Sequence, residues 1–113
     1  MKIRRMNGIA ILAPHGWLMG GDETEELDRT IRRLIDEGNR QLIINLGEVS
    51  MMNSTALGVL TACRVSYQNR NGRLALCNVD TKIQHILLIT KLSLLFDAYA
   101  DEKEALAAIL QPA

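Results

Sequence analysis

The sixteen residues Asn45-Leu-Gly-Glu-Val-Ser-Met-Met-Asn-Ser-Thr-Ala-Leu-Gly-Val-Leu60 decide how this chain is read. They follow an apolar run, Leu42-Ile43-Ile44, of strand character. They end in a helix-like run that begins at Asn53-Ser54-Thr55. Small polar residues at a helix start bring hydroxyls and unpaired backbone N–H groups to one exposed spot. Such a spot favours negative charge, through the open N–H groups and the helix dipole. A serine placed there serves as a cap, a nucleophile or a phosphorylation site.

Working outward, Gln41 to Leu46 is nearly all apolar, as expected of a central strand covered on both faces. Gly47 to Met52 reads as a loop, and Ser54 to Asn69 as a helix with Leu57, Leu60 and Tyr67 marking its turns. Gly58 inside that helix costs about 1 kcal/mol relative to Ala, so a close packing contact is expected there. Gly72 ends the helix. Towards the N-terminus, Lys2 to Met6 and Ile9 to Ala13 flank Asn7-Gly8, a two-residue hairpin signal. Pro14 to Gly21 reads as a loop carrying Trp17, the only Trp. Asp22 has the look of an N-cap, with Glu25 three residues on. Leu27, Ile31, Leu34 and Ile35 form one helical stripe, which Gly38-Asn39 stops.

Towards the C-terminus, Arg73 to Val79 is a strand, and Asp80 or Thr81 caps a helix with Ile83, Ile86, Leu87 and Thr90. Leu94 to Ala100 holds a short last strand, and Asp101, with Glu104, caps a final helix through Leu110. Strands that alternate with helices imply βαβ units, right-handed crossovers and a mainly parallel sheet. The expected fold is therefore α/β, a mixed, mainly parallel sheet of four or five strands with about four helices packed mainly on one face. Residues 1–113 are expected to form a single domain.

The chain balances 13 basic against 13 acidic side chains. That argues against direct nucleic-acid binding, which favours a basic excess. Arg29, Arg32 and Arg33 cluster, but Asp28, Asp36 and Glu37 surround them, as on a solvated helix face. Cys63 and Cys77 sit in apolar segments without metal-ligand spacing and read as reduced, buried thiols of a cytoplasmic protein. No signal peptide is expected, because the apolar run near the start is too short. Ile83 to Phe96 is interrupted by His85, Thr90, Lys91 and Ser93, so no membrane insertion is expected.

Ser54 as a catalytic nucleophile needs a base and an orienting acid. The G-x-S-x-G elbow is missing, and only His15 and His85 are available as bases. Gly20-Gly21 and Gly47 lack the spacing of phosphate-binding loops. No catalytic residue, cofactor or metal is expected, and the chain reads as a binding protein rather than an enzyme.

The run L-x-x-V-x-x-x-N-S-T-A-L-G-V-L resembles the signature of STAS domains, in particular bacterial anti-sigma factor antagonists. In that family a strand ends in Asp-Leu-Ser-x-Val, and a loop leads to Asp-Ser-Ser-Gly-Leu at a helix start. Here the two read Asn45-Leu46-Gly47-Glu48-Val49 and Asn53-Ser54-Thr55-Ala56-Leu57. Gly72-Arg73-Leu74-Ala75-Leu76 is similar to the family's Gly-x-Leu-x-Leu strand. Ile86-Leu87 through Thr90-Lys91-Leu92 is similar to its Leu-x-x-Thr-Gly-Leu, with Lys91 in the usual Gly place. The element order matches as well.

The resemblance implies that Ser54 is phosphorylated by a partner, an anti-sigma factor serine kinase, and reset by a serine phosphatase. Thr55 keeps a hydroxyl and stands as an alternative acceptor. Asn53 replaces the usual Asp, and Ala56 the usual Gly. The implied function is an anti-sigma factor antagonist that binds its partner when unphosphorylated. The alternative is a non-switching STAS interaction module in a larger signalling or transport-associated complex, with Ser54 only a cap. The expected contact surface is Met51, Met52, Asn53, Ser54 and Thr55. The two methionines read either as adaptable contacts or as core. Trp17 either borders that surface or is core.

Overall fold

Asn7 and Gly8 both take positive φ, 51° and 83°, and close a hairpin between β1 (Lys2–Met6) and β2 (Ile9–Ala13). Two residues with positive φ are what a tight hairpin turn demands, and Asn-Gly supplies them at least cost. The computed structural model describes residues 1–111. From β2 the chain runs through α1 (Asp22–Asp36), β4 (Gln41–Asn45), α2 (Ser54–Asn69), β6 (Arg73–Cys77), α3 (Thr81–Ile89), β7 (Asp97–Tyr99) and α4 (Glu102–Ile109). A one-turn 3-10 helix, Leu92–Leu94, follows α3.

The main sheet has the order β1-β2-β4-β6-β7, with β1 antiparallel at one edge and the other pairs parallel. Each parallel step moves the chain the same way across the sheet. Right-handed crossovers then put α1, α2 and α3 on one face. The period-2 alternation of the strands shows this directly. Ala10, Leu12, Leu42, Ile44, Leu74 and Leu76 meet Leu27, Leu60 and Leu87 in the larger core. Ile9, Ile11, Ile43, Ala75 and Cys77 point the other way, onto Ala105 and Ile109 of α4. Strand β4 lies at the centre, which is why its apolar run does not alternate with polar residues. Cys63 belongs to one core and Cys77 to the other, on opposite faces of the sheet.

Two expected loops are strands. His15–Leu18 forms β3 and Glu48–Met52 forms β5, and the two pair in parallel as a separate ribbon. Gly16 pairs with Val49 but Trp17 pairs with Met51, so Ser50 is bulged out. The bulge breaks the alternation that would have announced a strand.

The start of α1 also differs from expectation. Gly21 is the N-cap, Asp22 is already helical, and no side chain caps the helix. Gly20, at φ 90°, brings the chain in one residue early, and its N–H is held by the buried Thr24 hydroxyl at 3.0 Å. Asp22, Glu23 and Glu25 still sit in the first turn, where they favour the dipole. At the other end, Gly38 N–H bonds to the Ile35 carbonyl and Asn39 N–H to that of Leu34. These are the two bonds of a Schellman motif. Helix α2 ends the same way, with Asn71, at φ 60°, in the left-handed position that Gly72 was expected to mark.

Candidate functional site

Ribbon β3–β5 delivers the chain to the start of α2. Asn53 N–H bonds to the Leu18 carbonyl at 3.1 Å, so the end of β3 fixes the entry into the helix. Asn53 is extended, with φ −110° and ψ −176°, and is the N-cap. Its side-chain oxygen accepts from Ala56 N–H at 3.1 Å, and its backbone carbonyl accepts from Leu57 N–H at 3.0 Å. The cap is therefore Asn53, one residue ahead of Ser54.

This leaves Ser54 with nothing structural to do. It is exposed, and among the described residues its hydroxyl has no hydrogen-bond partner. The N–H groups of Ser54 and Thr55 precede those taken up by Asn53 and stay open at the positive end of the helix. Thr55 is exposed too, but it stands against Gly20, where an added Cβ would lie 3.3 Å from its Cγ2. A side chain on Gly20 would need Thr55 to give by a few tenths of an ångström, and at φ 90° it would also strain the backbone.

The expected contact residues divide. Met51 is half-buried, while Asn53 is half-buried and Ser54 and Thr55 are exposed. Met52 is 4% exposed and packs in the larger core, beneath the surface rather than on it. Trp17 is 68% exposed, which excludes the core reading of that residue. Sequence reasoning also missed Met19, 44% exposed one residue beyond β3. An exposed Trp and Met close to an unpaired serine form the kind of surface that marks an interface.

Neither histidine is placed to activate Ser54. His15 pairs with Glu48 at the far end of β5, on the order of 15–20 Å along the strand from Ser54. His85 is exposed on α3 and has no hydrogen bond to Ser54. Burial pushes the Cys63 thiol up to about 11, with the Asp28 charge adding to it. Burial likewise pushes Cys77 up to about 12, helped by Glu102 and Asp101. Both remain unreactive thiols at neutral pH. A cleft of about 740 Å³ lies at the other end of the ribbon, between β1, Asn45 and Glu102. Its Arg4 is ion-paired with Glu102, which Asn45 also holds at 2.7 Å.

Gly58 does not make the close contact expected of it. A Cβ added there would meet nothing within 4 Å. It faces a shallow, open hollow of about 480 Å³ between α2 and the segment after α3, bounded by Ser54, Leu57, Thr61, Thr90 and Leu92. No helix of the described residues is long and apolar enough to cross a membrane.

The sequence pattern of the STAS domain matches residues 1–105, and the chain belongs to that family. BtrV of Bordetella bronchiseptica, named as a candidate anti-sigma factor antagonist, is 23% identical over 113 residues, taking in 100% of this chain and 96% of its own. The structure of a candidate anti-sigma factor antagonist from Thermotoga maritima superposes with a TM-score of 0.91 at 20% identity, covering 97% of this chain and 94% of that one. The Bacillus cell fate determinant SpoIIAA, in phosphorylated form, superposes with a TM-score of 0.76 at 19% identity, covering 96% and 97%. Its unphosphorylated form, an anti-sigma factor antagonist, gives 0.78 at 18% identity over 96% of each chain. At these identities the superpositions establish the fold.

Proposed function

We propose that the chain is an anti-sigma factor antagonist, a cytoplasmic protein-binding switch. Its unphosphorylated form engages an anti-sigma factor through the start of α2, and phosphorylation of Ser54 ends that binding. The observation that carries the reading is the division of labour at the helix start. Asn53 caps the helix, so the Ser54 hydroxyl is exposed and unbonded, and modifying it removes no contact from the fold. A phosphoryl group brings about −1.5 to −2 charges and three acceptor oxygens. The open N–H groups of Ser54 and Thr55 and the helix dipole accommodate that charge. The same group inside a protein interface disrupts it by bulk, charge and desolvation. The fold stays and the partner is lost. The names borne by BtrV and SpoIIAA, the latter described in both phosphorylation states, support this reading.

The partner in this reading is itself the serine kinase, and a serine phosphatase resets the switch. Ser54 has no catalytic role. Mass spectrometry after incubation with the partner kinase and ATP, paired with a binding titration, tests it. Ser54→Ala keeps the fold and the partner but takes up no phosphate. Ser54→Asp weakens binding less than phosphate does, having about half the charge. Asn53→Asp, which restores the family's carboxylate, changes the phosphorylation rate more than the stability. Phosphate on Thr55 alone moves the site by one residue. No phosphate on either hydroxyl leaves a non-switching interaction module and refutes the switch.

A further inference from the structure

Gly58 follows Ser54 by one turn and shares its face of α2. In a helix every Cα–Cβ bond tilts toward the N-terminus, so a side chain at position 58 would lean over the Ser54 hydroxyl. Glycine is costly in a helix interior, and no neighbour within 4 Å requires it there. Its effect is to leave Ser54 open towards the hollow beside α2, whose far side is Thr90 and Leu92. Between those two residues stands Lys91, exposed and in the left-handed conformation, with φ 63°. The other non-glycine residues with positive φ are Asn7, Asn71 and Asn78, the type that tolerates it. Glycine would take that conformation without strain, and lysine does not.

The lining of the hollow carries no charge of its own. A phosphate on Ser54 must therefore find its counter-charge outside the lining. On α2 the first cation is Arg64, roughly 15 Å along the helix from Ser54, and its guanidinium is held by Gln68 at 2.9 Å. On α3, Lys82 and His85 lie roughly 12 and 7 Å back along the helix from Thr90. The β3–β5 ribbon brings only His15, at its far end. Behind Thr55, across Gly20, α1 opens with Asp22, Glu23 and Glu25, which carry the phosphate's own sign. After the 3-10 helix the next charge is Asp97, at the start of β7. Lys91 is the cation beside the hollow, and among the described residues it has no ion pair.

We propose that Lys91 is the residue that receives a phosphate on Ser54. Its flexible four-carbon stem carries a compact ammonium, which turns in over Gly58 to the phosphate oxygens. The open N–H groups of Ser54 and Thr55 hold the same group from the helix side. The modified serine is then fixed against α2 and partly neutralised. The inference rests on the reading of Ser54 as a phosphorylation site, and it assigns that site its counter-charge. It also gives one reason for two residues that local preference disfavours: Gly58 supplies the room and Lys91 the charge.

The test needs no kinase. Phosphoserine is installed in place of Ser54 during translation, and its phosphate is titrated by phosphorus NMR. A nearby cation favours the dianion, so the second ionisation, at about pH 6 in free phosphoserine, should lie lower in the parent chain. Lys91→Gln and Lys91→Gly should each raise it by about half a pH unit, and Lys91→Arg should keep it low. Lys82→Gln and Arg64→Gln should leave it where it is. In the unmodified chain, Lys91→Gly should also raise the melting temperature by relieving the turn. A residue with only a structural role would move the melting temperature and not the titration. Circular dichroism checks that each variant is folded. One and the same titration in the parent chain and in Lys91→Gln would overturn the inference, as would a rise confined to Lys82→Gln or Arg64→Gln. Neither result bears on whether a kinase phosphorylates Ser54, and a kinase that leaves Ser54 unmodified does not alter the titration, so the two readings fail separately.

Discussion

Gly58→Ala should make the protein more stable, and the size of the effect follows from the structure. Gly58 is the fifth residue of the 16-residue helix α2, past the first turn and far from the end. In a helix interior, alanine is favoured over glycine by about 0.8–1.0 kcal/mol, chiefly because glycine has more backbone freedom to lose. That gain is realised only if the new methyl group fits, and the nearest heavy atoms lie more than 4 Å from its position. Unfolding entropy near 60 °C is about 2.1 cal/mol/K per residue. For 113 residues this gives roughly 0.24 kcal/mol/K, so the melting temperature should rise by about 4 °C. Thermal melts by circular dichroism, backed by urea midpoints at constant m-value, measure it. A melting temperature unchanged or lowered would mean that the methyl meets something. The open space beside Gly58 would then be wrong.

Leu60 is fully buried in the larger core, so Leu60→Ala should destabilise by about 2–5 kcal/mol in the same urea assay; a loss below about 1 kcal/mol would place it outside the core. Burial opposes ionisation of Glu102, but hydrogen bonds from Arg4 and Asn45 and the Arg4 charge outweigh it and hold the carboxyl below its ordinary range. A depressed folded value adds stability above the unfolded value of about 4.3, and that stability is lost as pH falls through the folded value. The difference between urea midpoints at pH 7 and pH 3 should therefore shrink in Glu102→Gln, modestly because the group is partly exposed. An unchanged difference would remove Glu102 from the acid response. Cys63 and Cys77 should resist a thiol reagent at pH 8 and react together once the chain is unfolded; rapid labelling of either in the native protein would contradict their burial.

What the sequence disclosed was carried by local signals. The Asn7-Gly8 turn, the caps Asp80 and Asp101 and the apolar run of β4 each act within a few residues, and all appear where the sequence placed them. Leu57, Leu60 and Tyr67, which mark the turns of α2 in the sequence, are all buried. The β3–β5 ribbon was illegible for a physical reason. It joins His15 to Glu48 through backbone bonds, and its bulge at Ser50 removes the period-2 pattern. The Asp22 cap was misread because Gly20 and Gly21 are free to bring the helix in early. Trp17 could be read either way, since a four-residue strand containing glycine offers no face pattern to decide between core and surface.

The replacement of the family's Asp by Asn53 takes on a meaning in the folded protein that it lacks in the sequence. The cap survives, because an amide oxygen accepts the Ala56 N–H as a carboxylate would. What disappears is the one negative charge that would stand beside Ser54. With Asn53 there, the chain from Val49 to Val79 has no acidic residue. A phosphate on Ser54 would then be the first negative charge carried by α2 itself. Phosphorylation adds the same charge with either residue, but with Asn it does so at a helix start that carries no side-chain charge of its own.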